Sequence, residues 1–120
     1  MTMQTLDAVD RRLLRVLQVE GRISNAELAK RCNLSPAACF ERVRRLRERR
    51  VITGYAALID PTMAGRGLLI FVEVLLDRTT GDVFEAFAAA VRAQPEVLEC
   101  HMVAGGFDYL IKARVGDMDA

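Results

Sequence analysis

This chain has little to support metal, disulfide or membrane chemistry. Of its 120 residues only three are cysteine and one is histidine. Cys32, Cys39 and Cys100 share no C-x-x-C spacing, and His101 adjoins Cys100 alone, whereas zinc needs about four ligands held tetrahedrally. The thiols therefore read as small buried side chains in a reducing cytosol, and no metal or cofactor is expected. No apolar run reaches the roughly 20 residues that a bilayer-spanning helix needs. No secretory signal pattern is visible either, so a cytoplasmic location and no membrane partner are expected. Low-complexity stretches and internal repeats are also lacking. So are a nucleophile–base pair, a phosphate-cradling loop behind a strand and a metal cluster, which leaves an enzyme little support.

A net charge of one sign is missing as well, since the formal value is only +1. That balance hides an asymmetry. Residues 1–55 hold 12 Lys and Arg against 6 Asp and Glu, while residues 56–120 hold 5 against 10. A basic head joined to an acidic partner domain is the expected organisation, divided as 1–60 and 61–120.

What the head does have is a dense basic helix. Residues 35–50 read S-P-A-A-C-F-E-R-V-R-R-L-R-E-R-R, with six arginines against two glutamates. Ser35 can cap an orphan amide, and Pro36 suits the first helical position. At about 100° per residue Cys39, Val43 and Leu46 fall in one apolar stripe, with Ala37, Glu41, Arg44, Arg45 and Glu48 on or near the opposite side. One face packs; the other begins small and ends basic. A helix whose first turn enters a DNA groove needs this pattern, with arginines reaching phosphates. Taken alone, the stretch also suits a solvated amphipathic helix.

The upstream residues supply the context. Ser24-Asn25-Ala26-Glu27 reads as a capping box opening a helix through Leu28, Ala29 and Cys32. Asn33, which tolerates left-handed backbone, stops it, and Leu34 bridges to Ser35. An earlier helix starts near Asp7, with Leu6 as a hydrophobic staple and Asp10 in its first turn; Val9, Leu13, Val16 and Leu17 would close a three-helix core, and Gly21 ends it. This order predicts a helix-turn-helix. Val51 to Ile59, broken by Gly54 and ended by Asp60-Pro61, is expected to be a strand or wing.

The second half predicts β-α-β-β. Leu68 to Leu76 is a strand with two apolar faces, interrupted by Glu73 on one of them; helices would cover one face and another subunit the other. Asp82 is expected to cap the next helix, whose inner face carries Phe84, Phe87, Ala88 and Val91 until Gln94-Pro95. Val97 to Ala104 and Tyr109 to Val115 are the remaining strands, with Gly105-Gly106 turning between them. The fold class is thus α+β: a winged helix-turn-helix followed by an incomplete ferredoxin-like βαββ unit whose C-terminal helix and strand are absent. The first strand would be left without its edge neighbour, an aggregation liability. A truncated chain or fragment is therefore expected.

With both halves placed, the chain resembles the Lrp/AsnC family of bacterial and archaeal transcription regulators. The resemblance rests on L-D-x-x-D at Leu6–Asp10, G-R-I-S-N at Gly21–Asn25, L-S-P-x-x-C-x-E-R-V-R-R-L at Leu34–Leu46 and G-Y at Gly54-Tyr55. It continues in D-V-F-E at Asp82–Glu85, E-C-H at Glu99–His101 and G-x-F-D-Y-L at Gly105–Leu110. It implies a winged helix-turn-helix joined to a ligand-responsive domain, assembling as homodimers and octamers or larger rings. The implied effector is leucine or another small amino acid. Gly105 and Asp108 carry over to the turn associated with effector response, with Met102 and Met118 as further candidates nearby. The Asp108 carboxylate could pair with an effector ammonium, and turn amides could hold its carboxylate. The plainer alternative is a hairpin turn, which Gly and Asp suit in any protein. Two positions depart from the family: Arg50 replaces a glycine usual after the recognition helix, and Ala104 stands where a hydroxyl residue is common.

The function these readings predict is sequence-specific binding of double-stranded DNA by a transcription regulator. Ser35, Ala37, Ala38 and Glu41 would face bases or nearby backbone, and Arg42, Arg44 and Arg45 phosphates or guanine edges. Arg47, Arg49 and Arg50 are expected to contribute general electrostatic attraction. The competing reading is an amino-acid sensing or oligomerisation module without specific DNA binding.

Overall fold

The first helix begins where its own sequence supplies a cap. The Asp7 carboxylate accepts the Asp10 N–H at 2.7 Å, and the Asp10 carboxylate accepts the Asp7 N–H at 3.4 Å. This reciprocal capping box opens α1, Ala8–Val19. The computed structural model describes residues 5–77, 80–106 and 108–119. In it α2, Asn25–Arg31, and α3, Pro36–Glu48, follow α1. Ser24 caps α2 by accepting the Glu27 N–H at 3.2 Å. The reciprocal half of the expected box is not formed. The Glu27 carboxylate instead accepts from Arg31 Nε at 3.3 Å, a charged pair one helical turn away.

The turn between α2 and α3 follows from Asn33. Its φ is 54°, its N–H donates to Lys30 O at 3.3 Å, and the Leu34 N–H donates to Ala29 O at 2.8 Å. These two bonds make a Schellman end, which needs a left-handed residue at that place. Two more contacts hold the helices: Arg12 Nη1 donates to Cys32 O at 3.1 Å, and Asn25 Nδ2 donates to Pro36 O at 2.9 Å. Leu13, Leu28, Ala29, Cys32, Cys39 and Leu46 form the buried core, with Val9, Val16, Leu17 and Val43 packed around it. Burial pushes the Cys39 thiol above its ordinary range, with Cys32 adding to it.

Val51 and Ile52 still pack on that core, but residues 53–60 have neither helix nor strand pairing. Of the strand or wing expected there, no strand forms among the described residues. Tyr55, Leu58 and Ile59 are exposed along this segment. The chain divides into two compact units, Met1–Ala57 and Leu58–Ala120.

The second unit contains β1 (Leu68–Val74), α4 (Gly81–Arg92), β2 (Val97–Met102) and β3 (Tyr109–Val115). The sheet order is β1-β3-β2, with both pairings antiparallel. Leu68 lies opposite Val115, and Val74 opposite Tyr109; on the other edge Met102 also faces Tyr109. A bulge falls between Val97 and Glu99. This is the incomplete ferredoxin-like βαββ arrangement expected, with the third strand central. Tyr109 anchors the helix to the sheet: its ring centroid lies 4.5 Å from that of Phe87 and 6.0 Å, edge-on, from that of Phe84. Tyr109, Ala113 and Val115 are the buried apolar residues among those described in this unit.

One expected cap is displaced by two residues. Thr80, not Asp82, is the α4 N-cap, and Asp82 sits inside the first turn. There the Thr80 hydroxyl, with the Asp82 and Val83 amides, lowers the Asp82 carboxyl below its ordinary range. A carboxylate in the first turn is favoured by the helix dipole without being the cap.

Candidate nucleic-acid interface and effector region

The exposed side of α3 is built from its first turn onward. The Ser35 hydroxyl accepts the Ala38 N–H at 3.1 Å, and Pro36 follows, so the helix starts without bulky side chains. Ser35, Ala37 and Ala38 are all exposed. Next comes a cluster of charges. Glu41 accepts from Arg44 Nε at 3.0 Å and pairs with Arg45 Nε at 3.3 Å, while Arg44 also pairs with Glu48. The Arg44 hydrogen bond holds the Glu41 carboxyl below its usual range and raises the Arg44 guanidinium.

The structure brings five of the predicted DNA-facing residues, Ala37, Ala38, Glu41, Arg44 and Arg45, onto one exposed or half-exposed side of α3, with Ser35 capping its start. Arg42 points elsewhere. Its guanidinium pairs with Asp7 and, at 3.4 Å, with Asp10, which is only 6% exposed. The Asp7 hydrogen bond raises the Arg42 guanidinium; the Asp10 N–H and then Arg42 lower the Asp7 carboxyl. Arg42 therefore ties α3 to the start of α1. Of the three arginines expected to contact DNA, Arg45 is the most open, with 65% of its side chain exposed.

Phe40 was not among the expected interface residues, yet it is 58% exposed. It stands three residues after Ala37 and four before Arg44, so helical spacing places it beside both. An apolar ring there could contact a thymine methyl.

The predicted effector residues divide between two places. Met102 ends β2, Gly105 lies in the turn with φ of 149°, and Asp108 enters β3. Asp108 ties this corner together. Its N–H donates to Val74 O at 2.8 Å, its carbonyl accepts the Val103 N–H at 3.0 Å, and its carboxylate accepts the Leu76 N–H at 2.7 Å. Phe107 lies outside the described residues. Met118, exposed like Met102, follows the opposite end of β3, about 20 Å away along a seven-residue strand. The expectation that it lies near Asp108 is therefore not met within one chain. A separate open cleft of about 440 Å³ is lined by Ile59, Pro61, Arg66, Glu96, Leu98 and Arg114 among others, with Arg66 and Glu96 paired at 3.5 Å. None of the predicted effector residues lines it.

A helix-turn-helix with a small-residue entry to its second helix, followed by a βαββ unit, has close counterparts. The AsnC-type helix-turn-helix domain matches residues 6–47, and the Lrp/AsnC ligand binding domain matches residues 69–120. The chain belongs to the Lrp/AsnC family. It is similar to the leucine-responsive regulatory protein of Salmonella typhimurium strain LT2, at 55% identity over 115 residues, 96% of this chain and 70% of that relative. A transcriptional regulator of Neisseria meningitidis, solved as its L-Met complex, superposes with a TM-score of 0.91 at 43% identity, covering 97% of this chain and 75% of that one. An AsnC family transcriptional regulator from Agrobacterium tumefaciens gives a TM-score of 0.90 at 32% identity, covering 96% and 75%. As an Lrp/AsnC protein this chain is a DNA-binding transcription regulator. No helix among the described residues is long and apolar enough to cross a membrane.

Proposed function

We propose that this chain reads a specific double-stranded DNA site through the exposed start of α3 and responds to a small amino acid through its second unit. The observation that carries the DNA half is the doubly capped helix-turn-helix. Asn25 holds the start of α2 to the start of α3, and Ser35, Ala37 and Ala38 lie exposed ahead of a charged helix. Small side chains let the helix axis approach base edges closely, and the arginines beyond supply sequence-independent attraction. Ser35, Ala37, Ala38 and Glu41 are the reading residues. Arg44 and Arg45 exchange their glutamate partners for phosphate or guanine on binding, and Arg42 acts by fixing the angle of α3.

The amino-acid half draws on the names of the relatives, one leucine-responsive and one bound to L-Met. Gly105, Asp108 and Met102 form the effector turn; Met118 reaches an effector only if it comes from a second copy. The division near residue 60 separates a reading head from an effector and assembly unit in a cytoplasmic homodimer that can build octamers. Catalysis is not part of this reading.

Footprinting on the DNA upstream of the chain's own coding region tests the DNA half. A protected site with paired half-sites about 34–36 Å apart, or a multiple of that, is expected. Equal affinity for every duplex at moderate salt would rule it out and leave a sensing and oligomerisation module. Calorimetric titration with leucine and methionine tests the effector half, and silence toward a full panel of small amino acids would reject it.

A further inference from the structure

We propose that Arg47 and Arg50 form a cleft at the C-terminal end of α3 that grips one DNA backbone phosphate beside the groove. The proposal rests on the DNA-binding reading above and assigns to two named side chains what that reading left as diffuse attraction.

The backbone is the first observation. α3 ends as α2 does: the Arg50 N–H donates to Arg47 O at 3.1 Å, and the Val51 N–H donates to Leu46 O at 3.0 Å. This Schellman end puts Arg50 at φ of 60°. At the end of α2 the same place is filled by Asn33, a residue that accepts left-handed backbone. Arginine has no such tolerance, and glycine would fit without strain. A strained, exposed side chain that contributes nothing to the core calls for another reason to be there.

Charge pairing is the second. Arg42, Arg44 and Arg45 are all bound to carboxylates. No ion pair is formed by Arg47 or Arg50 among the described residues. These two line an open cleft of about 450 Å³ together with Arg44 and Glu48, which pair with each other. The cleft thus presents two uncompensated guanidinium groups, and its remaining charges cancel. A cation in the last helical turn also complements the helix dipole. That accounts for Arg47, which is in the last turn, but not for a left-handed arginine beyond it.

The geometry points to phosphate rather than to a base edge. The cleft lies at the far end of α3 from the small first turns that approach bases. Guanidinium forks match phosphate oxygens, and such contacts set position without reading sequence.

The test uses the full chain, a duplex carrying its footprinted site, and fluorescence anisotropy over a salt series. The double variant Arg47→Gln/Arg50→Asn should bind roughly tenfold more weakly at low salt, with a log–log salt slope shallower by about 0.9 per protomer. Its preference for the specific over a scrambled duplex should stay the same, because phosphate contacts carry no sequence information. Arg50→Asn alone keeps the left-handed residue, so its unfolding midpoint should match or exceed the parent's, while Arg50→Lys recovers part of the lost affinity. An unchanged slope and affinity in the double variant, with the parent binding its site, overturns the phosphate cleft alone. A lost sequence preference with normal folding would assign the pair to base contacts and also overturn it. A parent that binds no duplex overturns this proposal and the DNA reading together.

Discussion

The two units of this chain reach stability by different routes. The helix-turn-helix closes around six buried residues contributed by all three helices, and Leu13 and Leu46 are completely inaccessible. Among its described apolar residues the second unit, of similar length, buries only Tyr109, Ala113 and Val115, and α4 has no buried residue. Phe71 is 60% exposed on the sheet face opposite α4, beside Leu69 on the same strand. Three helices crossing at a point can satisfy one another. A three-stranded sheet with one helix has a second face that its own helix does not cover. The first unit therefore closes its own core, and the second leaves apolar side chains exposed on one sheet face.

The sharpest way to break this contrast is to open the first core. Leu13→Ala removes a side chain with no exposure and should cost about 2–5 kcal/mol, measured by urea denaturation followed by circular dichroism. A loss below about 1 kcal/mol would mean that the three helices do not share one core. Next in size is the turn: Asn33→Val puts a branched side chain at φ of 54° and should destabilise by about 1–3 kcal/mol, whereas Asn33→Gly should be neutral or better. Removing the α3 cap with Ser35→Ala should cost about 1 kcal/mol, and it should weaken DNA binding by more than that stability loss explains if Ser35 also meets DNA. The smallest effect on folding belongs to the second unit. Phe71→Ser should change unfolding by no more than about 0.5 kcal/mol while lowering the association state seen by light scattering. A stable monomer in the parent protein would remove the basis for that contrast.

Acid should act on the first unit through Asp7. Its carboxyl is lowered in the fold by the Asp10 N–H and by Arg42. The unfolded chain therefore holds the proton more tightly, and the pairing stabilises the fold above the ordinary carboxylate range. That contribution fades as pH falls through the lowered value. Thermal melts should lose midpoint below about pH 4. Asp7→Asn, which keeps a capping oxygen but not the charge, should flatten that dependence. An identical pH profile in the variant would show that other carboxylates control acid unfolding.

Much of this fold was legible because its signals are local. Asp7, Ser24 and Ser35 cap helices where their residue types suggest, Asn33 takes the left-handed place, and the strands lie where the apolar runs are. What sequence did not reveal depends on distant partners or on competition. Arg42 looks like its basic neighbours until Asp7, 35 residues earlier, is brought beside it. Glu27 had two acceptable partners, and the charged one won. Asp82 has the side chain of a cap, but the chain turns at Thr80. The segment after Ile52 carries strand-forming residues, but no strand among the described residues pairs with it. On α3, the small face is readable from spacing, whereas exposed Phe40 carries no such signal, because an aromatic residue in an amphipathic helix is usually core. The Arg50 backbone was not visible in its residue type at all, since arginine rarely occupies that conformation.

The sheet order has a consequence for synthesis. β1 and β2 do not touch each other; both ladders wait for β3, the last strand of the three to be made. At about 5–20 residues per second, the helix-turn-helix is complete while β1 is still emerging. β1 then remains unpaired until Tyr109–Val115 follows. For those seconds the newborn chain has a finished head and one apolar strand with both edges open. That interval is where chaperone capture or misassembly would be concentrated, and slowing translation between β1 and β3 would lengthen it.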